Sequence, residues 1–430
     1  MLKDLSVNFG NFLLSFSDAI DIANSQIASH QIRTAFIAWE IAKASGIPKE
    51  RIENLFVASL FHDIGALSLE EKIKIHNFDG NYLAGNNLED HCILGEYLFE
   101  TCSLFAPAKT IVRYHHKPWR LWGTIDRPEA FDSQILCLAD YLERKINRNQ
   151  YILYQVDGVK KAASKTSGKL INKDIVELFF EISGREEFWL DLSSPRLYSV
   201  LLHSGPFRGR EIDYENIFPI ASLFRSTIDF KSRFTATHST GVAECAVMLS
   251  KIFGLSESEI EQMELAGYFH DLGKLAVPNS ILEKPDKLTN DEFAVIKQHT
   301  YYTYSVLNTI GGLNNIAEWA AFHHEKIDGS GYPFHVGAQK INTGSRIMAV
   351  ADIFTALAED RPYRKRMERE QIQTILKSQV SNNVLDKKIV NLLIENFEEI
   401  SSTVTEKQLL SRELFEMKIA SYKNIISHRI

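Results

Sequence analysis

Apolar residues recur along the chain with the spacing of amphipathic helices rather than with the alternation of half-buried strands. Gly254 follows one such segment and is the residue type that commonly ends a helix. Ser256 and Glu259 then have the spacing of a capping box, which predicts a second helix that runs to His270. The apolar face of the first segment, which begins after His238, consists of Val242, Cys245, Ala246, Leu249, Ile252 and Phe253.

Other segments follow the same helical pattern. Helices are predicted over Asp291 to Thr309 and over Glu368 to Gln379, and Pro48 suits the start of a helix in the first half of the chain. Alternating patterns bounded by tight-turn dipeptides, which would indicate strands, are scarce. The sequence therefore predicts an all-α protein of two packed helical domains.

A repeat with an offset of 208 residues divides the chain into two copies. Adding 208 to five of the six histidines within residues 1–200 gives the number of another histidine. The segments Gly46–Leu67 and Gly254–Leu275 are identical at nine of 22 positions, and both contain a His-Asp pair. His76 has no counterpart, so we expect it to be an ordinary surface residue. The repeat predicts two tandem domains, over residues 1–200 and 215–430.

The composition restricts the class of protein. Lys and Arg number 48 against 55 Asp and Glu, and this net charge of −7 does not suit binding to polymeric DNA or RNA. Four widely spaced cysteines are typical of a reducing compartment. The N-terminus lacks the basic region of a secretory signal, and no window offers about 18 uninterrupted apolar residues. We therefore expect a cytoplasmic protein without a membrane span.

The repeated histidines and aspartates form a candidate metal centre in each copy. Such widely separated side chains can converge only if they project inward from different helices of a bundle. Five imidazoles and two carboxylates exceed what one tetrahedral zinc ion needs. The set in the second copy is His238, His270, Asp271, His299, His323, His324 and Asp352, and that in the first is His30, His62, Asp63, His91, His115, His116 and Asp140.

The ligand set of the second copy suits two divalent ions. The two oxygens of Asp271 can bridge the ions, which leaves His238, His270 and Asp352 for one, and His299, His323 and His324 for the other. Nitrogen and carboxylate ligands with open positions favour iron or manganese, with zinc, nickel or magnesium as alternatives. Two such ions lower the pKa of a bridging water and neutralise a phosphodiester. The residues therefore predict hydrolysis of a phosphate ester.

Motifs of the second copy resemble the signature of the HD-GYP phosphodiesterases. They are His270-Asp271-Leu-Gly-Lys274, then His323-His324-Glu325 followed by Gly331-Tyr332-Pro333, then Ala351-Asp352 followed by Arg361-Pro-Tyr-Arg364. The resemblance covers about residues 215–400. It implies an HD-superfamily fold, a metal cluster, and a role in bacterial second-messenger signalling. The implied reaction opens a cyclic dinucleotide, usually cyclic di-GMP and in some members cyclic GMP-AMP, to the linear form.

The resemblance also implies roles for individual residues. Asp271 and Lys274 would be catalytic, with Lys274 in contact with the scissile phosphate or its nucleophilic water. Arg361 and Arg364 occupy the positions that grip phosphate in the family. Tyr332 would help to shape the pocket for a base. These four positions are the expected contacts to the substrate.

The sequence departs from the family pattern in both copies. Some members bind a third metal through a Glu four residues before the first ligand, where this chain has Phe234, so a binuclear centre is expected. Thr355 stands where many members have Asp. In the first copy, Ala66 replaces the lysine of the second, and Lys117–Gly123 replaces the GYP loop. We expect that copy to be regulatory or structural, and whether it holds metal is open.

Two other functions are compatible with these residues. One is an HD phosphohydrolase that acts on mononucleotides or other phosphomonoesters. The other is a catalytically silent receptor that binds a cyclic dinucleotide and signals through a partner. The preferred cyclic dinucleotide, any further hydrolysis to mononucleotides, the metal identity and the oligomeric state, including a homodimer, are left open by the sequence.

Overall fold

The computed structural model describes residues 6–21, 28–76, 89–231, 237–359 and 365–427. Within these residues nearly all regular structure is helical, which confirms the all-α prediction. The chain divides into two compact units. The N-terminal unit comprises Asn8–Ile212, and the C-terminal unit comprises the chain from Asp213 onward together with Ser6 and Val7. No helix in the described part of the chain has the length and apolar character needed to cross a bilayer.

The N-terminal unit is built around one buried helix, α2, which packs against α3, α7 and α9. A two-stranded sheet of β1 (Ser6–Asn8) and β2 (Glu211–Asp213) lies where the chain enters and leaves this unit. The helices are α1 (Phe9–Asp21), α2 (His30–Ser45), α3 (Lys49–Leu60), α4 (Leu69–His76), α5 (Asp90–Glu100), α6 (Lys109–Tyr114), α7 (Pro128–Arg144), α8 (Val156–Thr166), α9 (Lys173–Ile182), α10 (Glu186–Ser193) and α11 (Leu197–Ser204).

The C-terminal unit has an equivalent central helix, α13, which packs against α14, α18 and α21. The helices are α12 (Tyr214–Lys231), α13 (His238–Phe253), α14 (Glu257–Phe269), α15 (Asn279–Leu282), α16 (Asn290–Ile310), α17 (Asn314–Ala321), α18 (Thr343–Ala358), α19 (Arg369–Ser381), α20 (Lys387–Glu395) and α21 (Phe397–Ser427). The helices predicted after Asp291 and Glu368 are therefore confirmed as α16 and α19.

Local sequence signals account for the helix ends beside the repeated motif. Gly254 ends α13 with a φ of 92°, a left-handed conformation that suits glycine. The hydroxyl of Ser256 accepts from the backbone N–H of Glu259, and the Glu259 carboxylate accepts from the backbone N–H of Ser256. This capping box starts α14 where the sequence predicts it. In the N-terminal unit, Pro48 immediately precedes α3.

The two units repeat one packing scheme. In the N-terminal unit α2 packs against α3 and α7, and in the C-terminal unit α13 packs against α14 and α18. The contact of α5 with α6 is repeated by α16 with α17. His30 and His238 are the first residues of the two central helices. Equivalent side chains therefore enter equivalent positions of each bundle.

Candidate metal centres

The seven predicted ligands of the C-terminal unit come from five different elements and meet inside the bundle. All are buried except His324, whose side chain is 32% exposed. They come from the start of α13 (His238), the turn after α14 (His270 and Asp271), α16 (His299), the 3-10 turn after α17 (His323 and His324) and α18 (Asp352).

The side chains lie in two groups. In the first, Nε2 of His238 is 3.0 Å from Oδ1 of Asp352, and the ring centroids of His238 and His270 are 5.6 Å apart. The second group consists of His299, His323 and His324, whose donor atoms all lie within 4.8 Å of one another. The structure thus brings together the two sets of three that the sequence assigns to separate ions.

Asp271 lies between the two groups. Its Oδ2 is 3.2 Å from Nε2 of His270, and its Oδ1 is 3.6 Å from Nε2 of His299. The carboxylate therefore presents one oxygen to each group, as a bridging ligand does. Nζ of Lys274 lies 2.5 Å from Oδ2, so a lysine ammonium stands at the edge of the cluster.

Backbone carbonyls hold the imidazoles in the orientation that a metal needs. The Nδ1–H groups of His270, His299 and His323 donate to the carbonyl three residues earlier, at 2.7, 2.6 and 2.6 Å. With the proton on Nδ1, the lone pair of Nε2 points into the cluster. Nε2 of His270 is buried without a hydrogen-bond partner in the described residues. Because such an acceptor is costly to bury, this donor set fits a cation.

Burial and local charge give three of the predicted ligands, His299, His323 and Asp271, the protonation states that metal ligands require. Burial lowers the pKa of His299 to about 3 and lowers the pKa of His323 well below its ordinary value. Burial alone would raise the pKa of Asp271, but the charges of His270 and Lys274 hold it well below its usual range. Neutral imidazoles beside an ionised carboxylate are the forms that bind divalent ions.

The N-terminal unit gathers its seven predicted residues in the same pattern. His30, His62 and Asp140 form one compact group, and His91, His115 and His116 lie together in a second. Oδ2 of Asp63 is 3.3 Å from Nε2 of His62, and Oδ1 is 3.5 Å from Nε2 of His91. Asp63 therefore faces both groups, as Asp271 does in the C-terminal unit.

The charges around the two clusters differ. Nη2 of Arg144 lies 2.6 Å from Oδ2 of Asp140 and is buried with it. The side-chain amide of Gln31 donates to Oδ2 of Asp63 at 3.3 Å, where the C-terminal unit has an ammonium beside the equivalent oxygen. In the N-terminal cluster Arg144 therefore places its positive charge on Asp140 of α7, whereas in the C-terminal cluster Lys274 places its charge on Asp271.

Sequence and structure comparisons assign the family. The HD domain family matches residues 27–145 and again residues 222–389. The chain is 30% identical to the 3'3'-cGAMP-specific phosphodiesterase 1 of Vibrio cholerae serotype O1, over 91% of this chain and 92% of the relative. The chain belongs to the HD-GYP family of cyclic dinucleotide phosphodiesterases.

Other members of the HD-GYP family match over different spans. The 3'3'-cGAMP-specific phosphodiesterase 3 of the same organism is 23% identical over 90% of this chain and 96% of its own length. The cyclic di-GMP phosphodiesterase response regulator RpfG of Xanthomonas campestris is 35% identical over 40% of this chain and 46% of its own length. The solved structure of V-cGAP3, a cyclic GMP-AMP phosphodiesterase of V. cholerae, has a TM-score of 0.64 at 21% identity. The match covers 91% of this chain and 98% of the solved chain. That similarity shows a shared fold.

The loop that carries the HD-GYP motif is fixed against the C-terminal cluster. The ring centroids of Tyr332 and His324 are 4.9 Å apart. The buried carboxylate of Glu325 accepts from the backbone N–H groups of Phe334 and Val336, at 2.7 and 3.1 Å. Glu325 lies within the recognised motif, but its role in tying the loop was not predicted. Tyr332 is therefore held at the edge of the cluster.

The glycine of each His-Asp motif permits a close helix contact. A Cβ at Gly273 would lie 1.9 Å from the carbonyl oxygen of His299, and one at Gly65 would lie 2.1 Å from that of His91. No side chain fits at such distances. These glycines let the His-Asp turn pack directly on the helix that supplies the next ligand.

Glu359 is a site residue that the sequence analysis missed. Its Oε2 is 3.2 Å from Nδ1 of His238, and its other oxygen accepts from the side-chain amide of Gln408. Burial lowers the pKa of His238, but the carboxylates of Glu359 and Asp352 raise it to about 9. Thr355, at the family's Asp position, is buried one turn earlier. The only sequence signal was that Glu359 lies two helical turns after Asp352.

For His76, the prediction of an ordinary surface position is wrong. The residue is half-buried, and its ring centroid lies 5.3 Å from that of His30. The expectation of a surface position rested on its lack of a repeat counterpart, which carries no information about packing. Phe234, Arg361 and Arg364 lie outside the described residues.

Proposed function

We propose that the C-terminal unit hydrolyses a phosphodiester bond of a cyclic dinucleotide with the help of two divalent metal ions. The observation that carries this proposal is the position of Asp271, which presents one oxygen to each of two histidine groups. Membership of the HD-GYP family and the names of the full-length relatives support the same reaction.

The ligand groups suit one ion each. His238, His270 and Asp352 would hold the first, and His299, His323 and His324 the second, with Asp271 shared. Two bound ions supply a nucleophilic water of lowered pKa and neutralise charge on the phosphate. Five imidazoles with two carboxylates favour iron or manganese, and zinc, nickel and magnesium are the alternatives.

Lys274 and Tyr332 would act on the substrate. The ammonium of Lys274 is 2.5 Å from Asp271 and its side chain is 20% exposed, so a phosphate that reaches the cluster can contact it. A fixed positive charge stabilises the negative charge that develops during displacement. Tyr332 would offer its ring to a nucleobase. By position in the family motif, Arg361 and Arg364 would bind phosphate.

We propose 3'3'-cGAMP as the preferred substrate and cyclic di-GMP as the second candidate. The relatives that match about nine-tenths of this chain, across both units, are named 3'3'-cGAMP-specific. RpfG and PA4108, which are named for cyclic di-GMP, match only 40% and 34% of this chain. The extent of the match therefore supports the mixed dinucleotide.

The N-terminal unit is proposed to be regulatory or structural, with the first domain over residues 1–200 and the catalytic domain over 215–430. Ala66 stands where the catalytic copy has Lys274, and the loop from Lys117 to Gly123 carries no GYP motif. No disulfide joins any of the four cysteines, all of which lie in the described residues, and this agrees with action in the reducing cytoplasm. The homodimer stays a prediction.

A substrate panel tests the proposal. The purified protein, loaded separately with iron and with manganese, is incubated with 3'3'-cGAMP, cyclic di-GMP and a mononucleotide, and the products are separated by chromatography. We expect a linear dinucleotide, formed faster from 3'3'-cGAMP. Release of phosphate from the mononucleotide alone would favour an HD phosphohydrolase instead. Tight binding of the cyclic dinucleotides without product would favour a silent receptor.

A further inference from the structure

One donor distinguishes the second ligand group of the N-terminal unit from its C-terminal counterpart. The donor atoms of His91, Cys92, His115 and His116 all lie within 4.8 Å of one another, and all four residues are buried. In the C-terminal unit the corresponding position is Thr300, whose hydroxyl donates to the carbonyl of Lys297 at 3.0 Å. The N-terminal group therefore has four side-chain donors where the C-terminal group has three.

Two of the distances between these donors match the edges of a tetrahedral site. Nε2 of His91 is 3.4 Å from Nε2 of His115, and Sγ of Cys92 is 3.5 Å from Nε2 of His91. Bonds of about 2.0–2.1 Å to nitrogen and about 2.3 Å to sulfur give tetrahedral edges of about 3.4 Å between nitrogens and about 3.6 Å between nitrogen and sulfur. These two distances therefore suit ligands of a single ion.

The orientation of His115 supports the same conclusion. Its Nδ1–H donates to the carbonyl of Val112 at 2.6 Å, which leaves Nε2 as the donor to an ion. His115 and His116 are adjacent in the chain, and the centroids of their rings are 4.0 Å apart. Consecutive histidines therefore deliver two imidazoles to one place, as His323 and His324 do in the other unit.

Arg144 disfavours a second ion in this unit. Its guanidinium donates to Oδ2 and to the backbone carbonyl of Asp140, and to the carbonyl of Ile75. These bonds fix a full positive charge beside the carboxylate that the other ligand group would use. Arg144 stands four residues after Asp140. Four residues after Asp352, the equivalent aspartate of the C-terminal unit, the chain has Ala356, which carries no charge.

We propose that the N-terminal unit binds a single thiophilic divalent ion, zinc above the others, through His91, Cys92, His115 and His116. Thiolate and imidazole ligands select zinc over the harder ions. Four protein ligands fill a tetrahedral coordination sphere, in which Asp63 is not needed as a ligand, so the ion would stabilise the fold and would not hydrolyse. This site lies in the unit that the proposed catalytic function does not use.

Cobalt substitution tests the site in the full-length protein. Zinc is removed and replaced by cobalt, and the absorption spectrum is recorded for the wild type, Cys92→Thr and Cys102→Ala. We expect a thiolate-to-cobalt charge-transfer band in the wild type and in Cys102→Ala, and its loss in Cys92→Thr, which installs the residue of the other unit. The described ligands of the C-terminal cluster include no cysteine, so the band reports the N-terminal unit.

A second measurement does not depend on the folding of a variant. X-ray absorption at the zinc edge of the zinc-loaded wild type should require a sulfur ligand at about 2.3 Å. Coordination by nitrogen and oxygen alone would overturn the proposal, as would a wild-type cobalt spectrum without the thiolate band or a band that survives Cys92→Thr.

Discussion

The two units place the same seven ligands at the same positions of the same bundle, yet they surround them with different charges. In the C-terminal unit Lys274 contacts the bridging Asp271 and stays partly open to solvent. In the N-terminal unit Ala66 replaces that lysine, and the buried Arg144 binds Asp140 instead. The helical packing fixes where these side chains meet, whereas the charges beside them differ between the units, and we propose that this difference separates the catalytic unit from the other.

The largest expected effect separates the two equivalent aspartates, Asp271 and Asp63. Asp271→Asn should abolish hydrolysis of the cyclic dinucleotide, because an amide has only one oxygen and cannot bridge two ions. Asp63→Asn should retain most of the activity, because the N-terminal cluster does not carry the reaction. Product chromatography at matched metal loading measures both. Equal loss in the two variants would contradict the assignment of the reaction to the C-terminal unit alone.

The next effect tests the lysine that only the C-terminal unit has. Lys274→Ala should lower kcat about 10²- to 10³-fold, the usual consequence of removing one group that stabilises transition-state charge. Lys284→Ala is the matched control, because Lys284 pairs with Glu292 at 2.7 Å, outside the cluster. Steady-state kinetics decide the point. An unchanged kcat in Lys274→Ala would remove this lysine from the mechanism.

A smaller effect is expected for the carboxylate behind the first ligand. Glu359→Gln weakens the partner of His238 Nδ1 and should reduce metal affinity about 10- to 100-fold. Glu257→Gln, at an exposed position at the start of α14, serves as the control. Metal titration of the apo-protein gives the two affinities. Identical affinities would indicate that Glu359 only supports the fold.

The smallest expected effect is the absence of any gain in hydrolysis when the N-terminal unit receives the lysine that it lacks. Ala66→Lys restores the missing lysine to the N-terminal unit, and in an Asp271→Asn background it should yield no hydrolysis. Arg144 still binds Asp140, and Cys92 still stands beside the second group, so the lysine alone does not recreate the catalytic surroundings. Product chromatography is again the measurement. Turnover in this double variant would mean that one residue accounts for the whole difference.

The features that recur in the sequence were the ones that could be predicted. The capping box of Ser256 and Glu259 and the stop at Gly254 depend on local backbone chemistry, so the bounds of α13 and α14 followed from them. The two ligand sets could be aligned because their histidines recur at equal spacing along the chain. The shared packing of the two units explains why both sets converge.

The features that sequence analysis missed depend on contacts that the repeat does not carry. Glu359 reaches His238 from beyond the end of α18, and His76 reaches His30 from α4. Neither residue has an equivalent at the same offset in the other copy. Arg144 lies in α7, but only the packing shows that its charge falls on Asp140. Such tertiary contacts are not encoded in a local pattern.

The central claim is that the C-terminal side chains gather a pair of ions around Asp271. A crystal structure of the iron- or manganese-loaded protein, with anomalous scattering recorded at the metal edge, tests it directly. The account predicts two anomalous peaks about 3.5–4 Å apart, one on each side of the Asp271 carboxylate. A single peak, or none, between His238 and His299 would contradict it.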